Sequence, residues 1–391
     1  MAAINLLEGV VKNYDWGGYS FLPKLLGIDN ASQKPFAEYW MGTHVQGMAH
    51  IVNQQGQRCG LNEVGVSLPY LLKVLDVKEM LSIQVHPTRQ AAIKEFALEN
   101  QAGIPLDAPY RNYKDQNHKP ELMVALGPFW LLHGFKKASQ IQAVFESTPE
   151  FTSLRSLWEK EGNQALYQFV MTMPQQEVNQ MLGSLLSRLQ NETVHSPFKK
   201  DNPAYWALKA SQQYGNKDFI DRGIFSIYFF NLVSLKEGEA IFQDAGIPHA
   251  YLEGQNVEIM ANSDNVLRGG LTAKHIDVAA LLKHTRCEGI VPEILQTHKA
   301  NGFPVWFPTP VEDFRLGQLF MTKKEKYRLK DTGPLILLLL KGSVEIVGGS
   351  HSLTLKQGQL AAHWDGRDEL FLQADQDTTL FLATSAIHKG E

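Results

Sequence analysis

PQQEVNQMLGSLLSRL, residues 174–189, has the spacing of an amphipathic helix. Val178, Met181, Leu182, Leu185 and Leu189 fall on one face. Pro174, with Glu177 close behind it, suits a first turn. Around this stretch the texture stays helical, from about residue 139 to 215. Ile141, Val144 and Phe145 share a face, and residues 205–214 read as a further helix. On both sides the texture is β. Upstream, residues 70–77 and 81–86 are apolar runs of strand length. Residues 121–125 and 129–133 read as a strand pair broken by Gly127-Pro128. A single helix is predicted within 88–100, after Pro87 and before Gly103 and Pro105. Downstream, the aromatic and β-branched run 225–233 reads as a strand. A short helix fits 276–283. Strands follow at 335–340, 344–347, 353–355 and 379–383, with Gly348-Gly349 as a hairpin signal. A helical block between two β segments is an insertion into a β domain, not a doubly wound α/β fold. Short strands with close turns predict a sandwich or barrel. No GxGxxG and no P-loop is present.

Composition limits the function. The chain has 391 residues, 44% hydrophobic and 20% charged, with a formal charge of -4. That profile is globular, and the length predicts two or three domains. A pI near 6.4 disfavours a nucleic-acid partner, which needs a basic face. The apolar run 335–340 is far short of the roughly 20 residues of a membrane span. Residues 1–11 show no signal-peptide pattern. Cys59 and Cys287 form no CxxC and read as reduced thiols. A cytoplasmic protein acting on a small molecule is expected.

The thirteen histidines mean little singly. Three segments give some of them company. In LSIQVHP, residues 81–87, an extended chain puts Ser82, Gln84 and His86 on one face and Leu81, Ile83 and Val85 on the other. In NHKPEL, residues 117–122, Pro120 favours an extended backbone, so Lys119 and Glu121 share a face. A Glu leading into an apolar strand calls for a cation. In GIPHAYLEGQNVEIMANSDNVLRGGLTAK, residues 246–274, His249 and Tyr251 share a face, and Glu258 lies in an apolar stretch. Asp264, Arg268 and Lys274 follow. Together Gln84, His86, Glu121 and His249 offer two imidazoles and two oxygens, a set suited to Zn²⁺. A neutral Gln oxygen leaves such an ion a stronger Lewis acid than a second carboxylate would.

At these segments the sequence resembles the type I phosphomannose isomerases. The likeness includes YDWG from Tyr14, AEYWMGTH from Ala37, LSIQVHP from Leu81 and YKDQNHKPEL from Tyr113. It continues in PHAYLEG from Pro248 and MANSDNVLRGGLTAK from Met260. After Gly42 it departs from the family, where a His-Pro commonly opens the loop and His44-Val45 stands here. The resemblance implies a mainly β fold of two cupin-type jelly-roll barrels with an inserted α-helical domain. The implied domains are 1–138 with 221–310 (metal-binding cupin), 139–220 (helical insertion) and 311–391 (C-terminal cupin-like). It also implies one zinc per chain, held by Gln84, His86, Glu121 and His249. The implied reaction interconverts mannose 6-phosphate and fructose 6-phosphate through an enediolate.

That reaction needs oxygen polarisation and a proton carrier between C1 and C2. Lys119, His118, Lys73, Glu258 and Asp264 are the acid–base candidates, with His118 and Asp264 suited to ring opening. Arg268 is expected to give close electrostatic support. Ser82, Lys119, Tyr251, Arg268, Lys274 and Trp16 are the expected substrate contacts, although core packing is the simpler expectation for Tyr14, Trp16 and Trp40. The expected partner is a small sugar phosphate, with no nucleic acid and no membrane, acting on a monomer or weak homo-oligomer. Two rivals remain: an iron-dependent cupin oxygenase, which the Gln ligand disfavours, and a non-enzymatic sugar-binding cupin.

Overall fold

The computed structural model describes residues 4–53, 55–216, 218–296, 302–330, 334–364 and 369–385. Its hub is the strand His249–Ala261. The second half of this strand pairs antiparallel with Tyr70–Val77 on one side and Glu121–Ala125 on the other. The first half pairs with Phe129–Phe135, and His249 also stands opposite Gln84. The strand's register shifts between Tyr251 and Glu253, where its partners change, and Gly254 follows. The φ angle there is +134°, and a Cβ would lie 2.5 Å from a Phe129 ring atom, so only glycine fits.

Side-chain alternation gives this eleven-stranded sheet two faces. Tyr39, Met41, Leu72, Val74, Leu122, Val124, Val257 and Ile259 share a core with Phe314, Leu316, Ile336, Leu338 and Phe381. Leu316, Ile336, Leu338 and Phe381 belong to an eight-stranded sheet, and Phe314 stands just before its strand Arg315–Met321. Leu335, Leu337, Leu339, Leu380 and Leu382 form a second core with Val344, Ile346, Leu355, Leu370 and Leu372 of a four-stranded sheet. Strand Leu335–Lys341 is apolar at alternate and intervening positions because both its faces are covered. Asn5–Glu8, His50–Val52 and Arg58–Gly60 extend the eight-stranded sheet, Asn5–Glu8 pairing with Leu360–His363.

The helices Ala138–Ser147, Thr152–Thr172, Gln175–His195, Pro203–Tyr214 and Gly223–Phe229 lie between strands Phe129–Phe135 and Phe230–Leu235. Those two strands pair with each other, so the helices are an excursion between paired neighbours. Val178, Leu182, Leu185 and Leu189 are buried as their spacing predicts, with Met181 partly buried against them. The observed class is therefore mainly β with a helical region. The sheets' strand orders are open, and among the described residues none closes into a barrel.

Two local expectations need correction. The run 225–233 is not one strand: Gly223–Phe229 is helix and Phe230–Leu235 is strand. Every residue of that helix is buried, so no polar face reveals its period. In the run 81–86, regular pairing is confined to Gln84–Val85. Among the described residues, no helix is long and apolar enough to cross a membrane.

Candidate active site and metal centre

His86, Glu121 and His249 are buried, and their ligand atoms all lie within 4.8 Å of one another. Strand register brings them together. His86 follows strand Gln84–Val85, and Gln84 faces His249 across the ladder. Glu121 opens its strand opposite Gln243 on one side and Met260 on the other.

Each imidazole is aimed by a backbone carbonyl. His86 Nδ1 is 3.0 Å from the Asn265 oxygen, and His249 Nδ1 is 3.0 Å from the Ile247 oxygen. A carbonyl only accepts, so Nδ1 carries the proton and Nε2 presents a lone pair. The two Nε2 atoms lie 3.4 and 3.3 Å from different oxygens of Glu121. His86 Nε2 is buried with no hydrogen-bond partner. Two lone pairs and a carboxylate facing one another with no proton between them call for a cation. Burial pushes His86 down to about 4, so the ring is neutral, as a metal ligand must be. Burial would raise Glu121, but the Lys119 ammonium holds it well below the usual carboxylate range. The Lys119 ammonium is 2.7 Å from its Oε1. With Gln84 alongside, the donor set fits Zn²⁺.

Next to this trio is a cavity of about 460 Å³. Ser82, Gln84, Lys119, Asp264, Arg268, Lys274 and Trp16 line it, as does Lys73. Ile83 and Val85 face the helical core instead, so the expected alternation holds from Ser82 to Val85. Leu81 departs from it and lines the cavity.

Three expected site residues are placed elsewhere. Tyr251 and Glu258 lie behind the cavity wall: the Tyr251 hydroxyl donates to Glu258 at 2.7 Å, and Lys73 donates to the other carboxylate oxygen at 3.1 Å. The Tyr251 ring is edge-on to Phe129, 5.3 Å away. His118 points away from the cavity, its Nε2 2.9 Å from Asp313. Burial raises Glu258, and Lys73 opposes that rise. Burial would lower Lys73, but Glu258 and Glu38 outweigh it and raise the ammonium's pKa. Lys73 thus stays protonated, held by acids. Among the described residues, Arg268 and Lys274 have no carboxylate within 4.0 Å.

The expected core residue Tyr14 is 41% exposed at the rim, stacked on Trp16 with centroids 5.9 Å apart. Trp40 is buried but also lines the cavity, under Lys73 and Lys12. Sequence reasoning missed Glu38, His44 and Gln46, which also line it. Gln46 N–H donates to His44 Nδ1, so His44 Nε2 carries the proton facing Asp264, 3.2 Å away. Burial would raise Asp264, but His44, Lys119 and Lys73 hold it down, leaving an ionised carboxylate in the cavity. The alternation of Glu38 and Trp40 in AEYWMGTH was a usable signal, because Trp40 stands directly opposite Lys73.

The profile of "Phosphomannose isomerase type I, catalytic domain" matches residues 4–138. The mannose-6-phosphate isomerase of Escherichia coli (strain K12) is 36% identical over 372 residues, covering 90% of this chain and 92% of that protein. The chain belongs to the type I phosphomannose isomerase family. The Salmonella typhimurium mannose-6-phosphate isomerase is 35% identical, covering 92% of this chain and 94% of that protein. A crystal structure of the Salmonella typhimurium enzyme, bound to substrate (f6p) and zinc, superposes with a TM-score of 0.85. It is 32% identical and covers 99% of this chain and 100% of that one.

For this phosphomannose isomerase chain, the buried histidines predict an acid response. His133 is held by Gln243 at 2.7 Å, and burial lowers it, like His86, to about 4. Unfolded histidine titrates near 6.5, so as the pH falls the unfolded chain binds protons first. Stability of the metal-free protein should drop between about pH 6.5 and about pH 4, and these two groups add no further loss below that. Urea midpoints across that range test this, and a flat profile contradicts it.

Proposed function

We propose that the protein interconverts mannose 6-phosphate and fructose 6-phosphate, with one zinc ion held by Gln84, His86, Glu121 and His249. The observation that supports this most is the buried trio of unprotonated donors beside a cavity lined by Arg268, Lys274 and Lys114, three cations with no carboxylate within 4.0 Å among the described residues. When bound, the zinc ion supplies Lewis-acid stabilisation of the enediolate oxygens. Arg268 and Lys274, with Ser82 near them, bind the phosphate end, Arg268 through its fork of donors. Lys119 donates to the substrate oxygens nearest Glu121. Asp264, ionised and held by His44, takes the anomeric hydroxyl proton as the C1–O5 bond breaks, and that proton passes to the freed O5. Lys73 fixes the charge of that wall through Glu258 and Glu38.

The layered sheets are read as two cupin-type jelly rolls: 1–138 with 221–310, and 311–391, interrupted by 139–220. Asn5–Glu8, His50–Val52 and Arg58–Gly60 add to the second unit's sheet. Cys59 and Cys287 are unpaired, which suits a reducing, cytoplasmic setting.

Chelation should remove about one zinc per chain and the activity together, and zinc alone should restore both. Activity that survives in metal-stripped protein contradicts the assignment. Arg268→Ala should lower kcat/KM by about a hundredfold, from the loss of a charge-assisted contact, while the protein stays folded and zinc-loaded. Unchanged kinetics would remove Arg268 from the site.

A further inference from the structure

Asp313 precedes strand Arg315–Met321 of the eight-stranded sheet, and its neighbour Phe314 is fully buried in the core between the two large sheets. Its own carboxylate is nearly buried, with 10% of the side chain exposed. It reaches across to the segments that supply the metal centre. Oδ1 accepts from Arg89 Nη2 at 2.8 Å, and Oδ2 lies 2.9 Å from His118 Nε2. Arg89 and His118 are themselves 2.7 Å apart.

Arg89 begins helix Arg89–Gln101 three residues after His86, and His118 stands three residues before Glu121. Between His118 and Glu121 is Lys119, whose side chain faces the cavity. One carboxylate therefore ties together, from outside, the two chain segments that carry His86 and the Lys119–Glu121 pair. Nothing in local sequence connects Asp313 to either segment. His118 turns its ring outward and Lys119 turns inward, as successive residues of an extended chain do.

We infer that Asp313 is a positioning residue, through which the C-terminal sheet sets the spacing of the metal-binding segments. This rests on the zinc isomerase reading of the cavity. Groups that orient metal ligands from outside typically contribute ten- to a hundredfold in affinity or activity.

The test uses the full-length zinc-loaded enzyme. Wild type must first show isomerase activity and bound zinc; if it does not, the isomerase reading fails, and not this inference. Asp313→Ala should lower both zinc affinity, read by chelator competition, and kcat by about tenfold, with KM less affected. In an Arg89→Ala/His118→Ala background the same change should add little, because its contacts are already gone. If Asp313→Ala does not fold, Asp313→Asn is measured in its place; its carbonyl oxygen can still accept from Arg89. Unchanged zinc affinity overturns the inference, whether or not the melting temperature or kcat falls. So does an undiminished effect in the double-variant background.

Discussion

His249→Ala is expected to abolish zinc binding and activity together. The imidazole is buried, its Nδ1 is committed to the Ile247 carbonyl, and its Nε2 faces Glu121 at 3.3 Å. Removing it takes away one nitrogen donor and leaves the carboxylate facing a void. Gln84, His86 and Glu121 then remain, and only His86 among them supplies a nitrogen, a weaker set for Zn²⁺ than the four donors together. The fall in kcat/KM should be at least about a thousandfold, as expected when the centre that stabilises transition-state charge is lost. The fold should persist, because the hub strand stays paired on both sides. Metal analysis and steady-state kinetics on the same preparation decide it. A variant that keeps both zinc and activity contradicts the ligand assignment.

Lys73→Met should be the most destabilising change in the cavity wall. Lys73 lies in a strand buried at every position, directly opposite Trp40 on one side and Glu258 on the other. Its ammonium is 3.1 Å from Glu258 and 4.0 Å from Glu38. The substitution preserves volume but leaves two buried carboxylates without their cation. Breaking a buried pair in this way typically costs about 3–5 kcal/mol. Adding Glu258→Gln should recover much of the loss, because a carboxamide needs no cation and still accepts from the Tyr251 hydroxyl. Urea unfolding of the single and double variants tests the coupling. A double variant no more stable than Lys73→Met contradicts it.

Much of the site was legible because strand alternation is local. Ser82 and Gln84 were expected on one face and Ile83 and Val85 on the other, and the structure places them so. Lys119 and Glu121 likewise share a face. The helical stretch 174–189 carries a full apolar stripe, and its burial follows that stripe. What was not legible depends on partners distant in the chain. Tyr251 shares parity with His249, but its hydroxyl is taken by Glu258 and its ring packs edge-on to Phe129, partners distant in the chain. His118 was expected to help open the sugar ring, but successive extended residues face opposite ways, and Asp313, 195 residues later, holds it. Helix Gly223–Phe229 was hidden because it is buried all round. The addition of Asn5–Glu8 to a sheet of C-terminal strands leaves no local mark at all. The net charge of -4 is also resolved locally. Lys73 and Lys119 are matched by acids, and the positive charge left for a phosphate is that of Arg268, Lys274 and Lys114, the last held only by the Leu106 and Ala108 carbonyls.

The most direct measurement follows mannose 6-phosphate by NMR with purified protein, first zinc-loaded, then chelated, then reloaded with zinc. Fructose 6-phosphate should form with the loaded protein, cease to form after chelation, and form again on reloading. No conversion by the zinc-loaded protein, or conversion at the same rate after its zinc is removed, would contradict a zinc-dependent isomerase built on His86, Glu121 and His249.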